Sequence, residues 1–141
     1  MDESRRAIAA LTQPLDEPFD VTLAATAEEL SERLGARLEL DLATGVHVSP
    51  ANREALLRIV REAMTNAGRH GRASEITLHL VNGGRLELRI LDDGIGFDPE
   101  AAANQPGAFG LISMRERVQA LGGEFRLLSK RGEGTCIEVI L

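Results

Sequence analysis

Apolar residues recur at helical spacing over Val21 to Leu34, where Leu23, Ala27, Leu30 and Leu34 share one face and Gly35 suits the position just past a helix end. ARLELDL then alternates apolar and polar residues, the period-two mark of a strand. Ser49-Pro50 opens a longer helix, with Ser able to cap free N–H groups and Pro tolerated at the first position. This helix is expected to run to about His70, with Leu56, Ile59, Val60, Ala63 and Ala67 as a broad apolar stripe suited to packing on a sheet. EITLHLV and RLELRIL alternate again around Asn82-Gly83-Gly84, a β-hairpin signal. Beyond the loop DDGIGFDPEAAANQPGAFG, a helix is expected from about Leu111 to Leu121, ended by Gly122-Gly123. EFRLLS and TCIEVIL then flank KRGEG as a second hairpin.

Helix, strand, long helix, hairpin, loop, helix, hairpin is the order of an α+β domain. It implies a two-layer sandwich, a mixed sheet of about five strands covered on one face by about three helices. The other sheet face should be polar, because His79 and Arg89 alternate with apolar neighbours. Residues 1–13 have the pattern of a short helix, but Pro14 and Pro18 interrupt it and TQPLDEPFD reads as a linker. The division is therefore a linker or tail over 1–18 and a compact domain over 19–141.

Composition narrows the function. The 141 residues include no Trp or Tyr and 4 Phe, so the core rests on aliphatic side chains and no aromatic platform for base stacking is expected. With 16 basic residues scattered among 22 acidic ones and a net charge of -6, the chain lacks the basic footprint of a nucleic-acid binder. Cys136, the single cysteine, excludes a disulfide framework and reads as a small buried apolar residue. No apolar run is long enough for a membrane span, so the domain is expected to be cytoplasmic and to make no membrane contact, any anchor of a parent protein lying elsewhere.

Three segments could carry chemistry. On the long helix, Glu62, Asn66 and His70 follow at intervals of four, making a polar edge beside the apolar stripe, with Arg69 adjacent. An Asn oxygen is a hard ligand suited to Mg²⁺, which takes few protein ligands, and an Arg fork suits phosphate oxygens. Asp92-Asp93-Gly94-Ile95-Gly96-Phe97-Asp98 follows a strand directly. There glycines permit a sharp turn and close approach of a ligand, and the Asp92 carboxylate could accept a hydrogen bond from the exocyclic amino group of adenine. Gly107-Ala108-Phe109-Gly110-Leu111 precedes a helix, whose free N–H groups favour anions and whose glycines suit a mobile lid. Taken singly, a solvated helix face, an acidic turn and a loop-to-helix turn explain these segments as well. Their order is the specific signal.

In that order they resemble the ATPase superfamily of gyrase, Hsp90, histidine kinases and MutL. REAMTNAGRH is similar to its Asn motif, DDGIGFD to its Asp-Gly-x-Gly motif, and GAFGLISMRERVQALGGEF to its second glycine motif. The run RERVQALGG resembles sensor kinases of the nitrate-sensor and DesK-like subgroup. The resemblance covers roughly residues 20–141 and implies a Bergerat-type fold binding ATP and Mg²⁺. Asn66 would ligate the metal and Glu62 would act as base or orienting carboxylate, with Arg69 and His70 near the phosphates. Asp92 would hold the adenine amino group, supported by Thr135, in a pocket shaped by Gly94 and Gly96. Gly107, Gly110 and Leu111 would frame the lid. Two features depart from the family pattern. Gly68 sits inside the helix, where Gly costs about 1 kcal/mol relative to Ala and loosens the helix end, and the Gly107 to Gly110 spacing is one residue longer than the tightest pattern.

The resemblance further implies transfer of the ATP γ-phosphoryl group to a histidine on a separate dimerisation domain and then to a response regulator. No acceptor histidine is expected here: His47 and His79 read as surface residues and His70 belongs to the ATP site. SRRAIAAL fits the tail of a dimerisation helix, and the isolated domain is expected to be a monomer. An anti-sigma-factor serine kinase, a non-catalytic nucleotide-binding module and an interaction domain without nucleotide are the competing readings.

Overall fold

The computed structural model describes residues 17–102 and 108–141. Its elements are α1 (Phe19–Leu34), β1 (Arg37–Leu42), α2 (Pro50–Thr65) continuing into a π-helical turn (Asn66–His70), β2 (Glu75–Asn82), β3 (Leu86–Asp92), the four-residue α3 (Pro99–Ala102), α4 (Ala108–Ala120), β4 (Glu124–Ser129) and β5 (Thr135–Ile140). The helix expected over 1–13 lies outside the described residues.

The strands form one sheet in the order β1-β2-β3-β5-β4. β1 runs parallel to β2 and the remaining pairs are antiparallel, so the sheet is mixed as expected. The parallel pair follows from the connection: a whole helix, α2, carries the chain from β1 to β2, as a parallel pairing requires. Both hairpins form where Gly83-Gly84 and KRGEG place them.

One face of the sheet is buried under the helices. Ile76, Leu78, Leu80, Leu88, Ile90, Ile137 and Val139 meet Leu56, Ile59, Val60 and Ala63 of α2, Leu23 and Ala27 of α1, and Met114 and Val118 of α4 in one core. The apolar stripe of α2 is therefore the central seam. Truncating Ile59 to Ala there would cost on the order of 2–5 kcal/mol through lost burial and the cavity left behind. The opposite face carries a cross-strand ladder in which Asp41 meets His79 (3.1 Å) and Glu138 accepts from both Arg89 (2.8 Å) and Arg126 (3.3 Å). Cys136 lies on this polar face, half-buried between Leu91 and Leu128 in the register, so it is not the core residue that alternation alone suggested.

Helix boundaries moved in two places. α1 begins at Phe19, two residues early, because the Phe19 N–H donates to the Val46 carbonyl (2.6 Å) and the Asp20 carboxylate accepts from the Val46 N–H (2.9 Å), fixing the first turn against the loop after β1. α4 begins at Ala108, not near Leu111, so Gly110 and Leu111 lie within its first turn and not ahead of it. Ser49 caps α2 as expected, accepting from the Asn52 N–H (3.2 Å).

Candidate functional site

The ends of α2, β3, α4 and the β4–β5 hairpin converge at one end of the sheet. α2 changes character there. After Thr65 its ladder widens to the π pattern, and the Gly71 N–H donates to the Asn66 carbonyl five residues back (2.9 Å). Such widened turns frequently mark functional sites. The loosened end attributed to Gly68 has a packing cause as well: a Cβ at Gly68 would stand 2.8 Å from the Leu34 Cδ2, so only glycine lets the π turn lie against the end of α1. The wider turn also moves His70 off the simple four-residue spacing from Asn66. Asn66 is half-buried, whereas Glu62, Arg69 and His70 are exposed. No hydrogen bond or ion pair engages the side chains of these four among the described residues.

The loop after β3 is tied to the end of α2. The Ile95 N–H donates to the Gly71 carbonyl (2.8 Å), and a Cβ at Gly94 would stand 2.5 Å from that same oxygen. Asp92 occupies the strand end, and its Oδ1 accepts from the Gly94 N–H (2.8 Å). Burial is the main cause of a carboxyl pKa raised above the usual value; the Gly94 N–H opposes the shift, the neighbouring Asp93 charge adds to it, and the Thr135 N–H opposes it. Asp93, one residue on, turns outward and closes the start of β2, accepting from the Ser74 hydroxyl (2.5 Å), the Ser74 N–H (2.8 Å) and the Glu75 N–H (2.9 Å). The Ser74 hydroxyl leads the causes that hold its pKa below the usual value.

The second hairpin closes the other side. Gly134 adopts φ +77° with its Cα against the Asp92 carbonyl, where any side chain would collide with backbone. Ser129 joins three parts of the site: its Oγ accepts from the Phe97 N–H (2.9 Å), donates to the Gly134 carbonyl (3.0 Å) and meets the Thr135 Oγ1 (2.9 Å). Gly96, at φ +63°, lies against the carbonyls of Lys130 and Gly134. Finally, a Cβ at Gly110 would collide with the Glu62 carboxylate, so the start of α4 lies directly beside this exposed side chain.

Glu62, Asn66, Asp92, Gly94, Gly96, Gly110 and Thr135 are thus gathered at one end of the fold, with Arg69, His70 and Leu111 at its rim. Gly107 lies outside the described residues. Sequence reasoning missed Ser129, Ser74 and Asp93, which position this end of the sheet. Asp93 was legible only as the second half of an acidic pair, and Ser129 carried no signal. Among the described residues no three His, Cys, Asp or Glu side chains gather as a metal cage. No helix among the described residues is long and apolar enough to cross a membrane.

Known proteins share this arrangement. The family described as histidine kinase-, DNA gyrase B-, and HSP90-like ATPase matches residues 51–141. Sensor histidine kinase LiaS of Bacillus subtilis is 38% identical over 93 residues, 65% of this chain and 25% of LiaS. The nitrate/nitrite sensor protein NarX of Escherichia coli is 34% identical over 131 residues, 92% of this chain and 21% of NarX. The chain thus spans about a quarter or less of these relatives. The histidine kinase domain from the Erythrobacter litoralis EL346 blue-light activated histidine kinase superposes with a TM-score of 0.74 at 25% identity, covering 88% of this chain and 60% of that one.

Proposed function

The chain belongs to the histidine kinase-, DNA gyrase B-, and HSP90-like ATPase family, and from that premise we propose that it is the ATP-binding catalytic domain of a two-component sensor histidine kinase. The observation that carries this is the meeting of three segments distant in sequence: the end of α2 bonded to the Asp92 loop through Gly71 and Ile95, and the start of α4 lying beside Glu62.

The residues present fit ATP and Mg²⁺. The Asp92 carboxylate, anchored by the Gly94 N–H, has lone pairs left to accept from the adenine amino group. Gly94 and Gly96 shape the pocket by letting the loop after β3 pack on the carbonyls of Gly71, Lys130 and Gly134, and Thr135, tied to Ser129, supports the adenine contact. Asn66 would hold the metal through its amide oxygen. Arg69 and His70 supply donors to the phosphates, while Gly110 and Leu111, in the first turn of α4, border the nucleotide. Glu62 orients the attacking imidazole or takes its proton. Bound ATP with Mg²⁺ supplies the phosphoryl group and a countercharge for its oxygens.

The acceptor histidine belongs to a dimerisation and phosphotransfer domain outside the compact unit that begins near Phe19, and a response regulator receives the group from it. In isolation this domain is a cytoplasmic monomer that touches no membrane. Calorimetric titration with ATP and Mg²⁺ tests the reading. It requires binding by the intact chain and loss of that binding in Asp92→Asn. No binding by the intact chain would overturn it.

A further inference from the structure

Away from the ATP site, β1 forms one edge of the sheet, with β2 as its one neighbour among the described residues. Its hydrogen-bonding groups divide by residue parity. The N–H groups of Arg37 and Ala43 donate to the carbonyls of Ser74 (2.8 Å) and Leu80 (2.9 Å), so odd-numbered positions face β2. The N–H and C=O of Leu38, Leu40 and Leu42 therefore point off the sheet. Beside this edge lies a groove of about 540 Å³, floored by Leu38 and Leu40 and walled on the α1 side by Ala25, Glu28, Glu29 and Glu32. Arg33 pairs with Glu29 (2.7 Å). Glu28 and Glu32, one turn apart on the same helix face, are exposed and have no ion-pair partner among the described residues.

An open strand edge is normally guarded by an inward-pointing charge, a bulge or a covering loop, because it templates pairing with another chain. On β1 the charges of Arg37, Glu39 and Asp41 all stand on the polar sheet face, while the helix-side face places an apolar floor under an acidic wall. We propose that β1 and α1 form a docking surface for an extended, basic segment of a partner protein, which adds a sixth strand beside β1. Backbone pairing with Leu38, Leu40 and Leu42 holds the segment. Every second side chain enters the groove, and Arg or Lys fits best there, its aliphatic stem lying on Leu38 and Leu40 and its charge meeting Glu28 and Glu32. This surface is independent of nucleotide binding.

The test uses the full chain and an acetylated peptide alternating arginine and threonine, alongside the same peptide N-methylated at alternate backbone positions. Amide hydrogen exchange read by NMR should show the unmodified peptide slowing exchange at Leu38, Leu40 and Leu42 and leaving Glu39 and Asp41, already bonded inward, unchanged. Glu28→Lys combined with Glu32→Lys should weaken binding roughly tenfold or more without lowering thermal stability, as both residues are exposed. Leu40→Pro removes one outward N–H while sparing the bonds to β2, a substitution edge strands tolerate. It should abolish the alternating protection while circular dichroism reports an intact fold. Equal binding of the N-methylated peptide would reduce the effect to unspecific charge attraction and overturn the proposal. So would an absence of protection at millimolar peptide, or concentration-dependent dimers that protect the same amides without peptide and identify a second copy as the occupant.

Discussion

Two regions of this domain are built from polar side chains and differ in how those side chains are satisfied. Where α1 begins, Arg53 is 7% exposed. Its guanidinium donates to the Thr22 hydroxyl (2.7 Å) and the Glu17 carbonyl and lies 5.9 Å from the centre of the Phe19 ring, while Asp20, 8% exposed, binds the Val46 N–H. Among the described residues no fully buried polar side-chain atom, here or elsewhere, is left without a partner. At the end of α2, the side chains of Glu62, Asn66, Arg69 and His70 have no hydrogen-bond or ion-pair partners among the described residues, and Asp92 is bonded only to backbone N–H groups. Buried polar groups bonded to each other hold a fold together. Polar groups gathered on one rim and left unbonded are available to a ligand, and the fold gains little from them.

The contrast gives expectations that separate stability from activity. Glu62→Gln should lower phosphotransfer to a histidine-bearing dimerisation segment supplied in trans by about a thousandfold, with ATP affinity by calorimetry and the melting temperature near wild type. Arg53→Ala should reverse that pattern, costing about 3 kcal/mol in urea denaturation through lost charged hydrogen bonds and the aromatic contact, while the folded fraction binds ATP normally. An Arg53→Ala domain with full stability would erase the distinction between the two regions.

Asp92→Asn should weaken ATP binding roughly a hundredfold, about 2.7 kcal/mol, without lowering stability. Its folded pKa lies above the unfolded 3.8. The ionised form therefore opposes folding, in full above the folded pKa, and the penalty vanishes as pH falls below the unfolded value. Gly110→Ala sharpens the comparison further. The added methyl meets a flexible carboxylate, so Glu62 shifts while α4 stays, and transfer should fall about tenfold as helix propensity adds up to about 1 kcal/mol of stability. Asp93 gives the smallest effect and the opposite pH sign. Its folded pKa lies below 3.8, so the stability it contributes is complete above that value and lost as pH falls through the folded pKa. Asp93→Asn should cost about 1 kcal/mol near neutral pH and flatten the acid limb of the stability curve measured by denaturant titration.

Most of this architecture was legible because the relevant forces act over short stretches of chain. The α2 stripe, the Ser49-Pro50 cap and both glycine-marked hairpins are local patterns, and each appeared where expected. The rest depends on contacts between distant segments. The early start of α1 comes from Val46, the need for Gly68 from Leu34, and the closing of the loop after β3 from Ser129. The π turn was invisible because α-helical and π-helical ladders require the same residues and differ only in what packs beside them. Among candidate site residues, the positions of Glu62, Asn66 and Asp92 at the ends of their elements were readable in advance. That Gly110 lies beside Glu62 was not, since nothing in a Gly-x-x-Gly pattern names its neighbour.

The strand order has a consequence for assembly during synthesis. β5 is made after every other strand yet lies between β3 and β4, so β4 emerges from the ribosome with its one partner still to come. The first hairpin closes a short loop and can form within microseconds, but Leu88 and Ile90 wait for Ile137 and Val139 before their outer side is covered. Nascent chains ending before Thr135 therefore expose a half-built core, and the synthesis of β5 decides whether the domain becomes a cooperative unit or a target for chaperones.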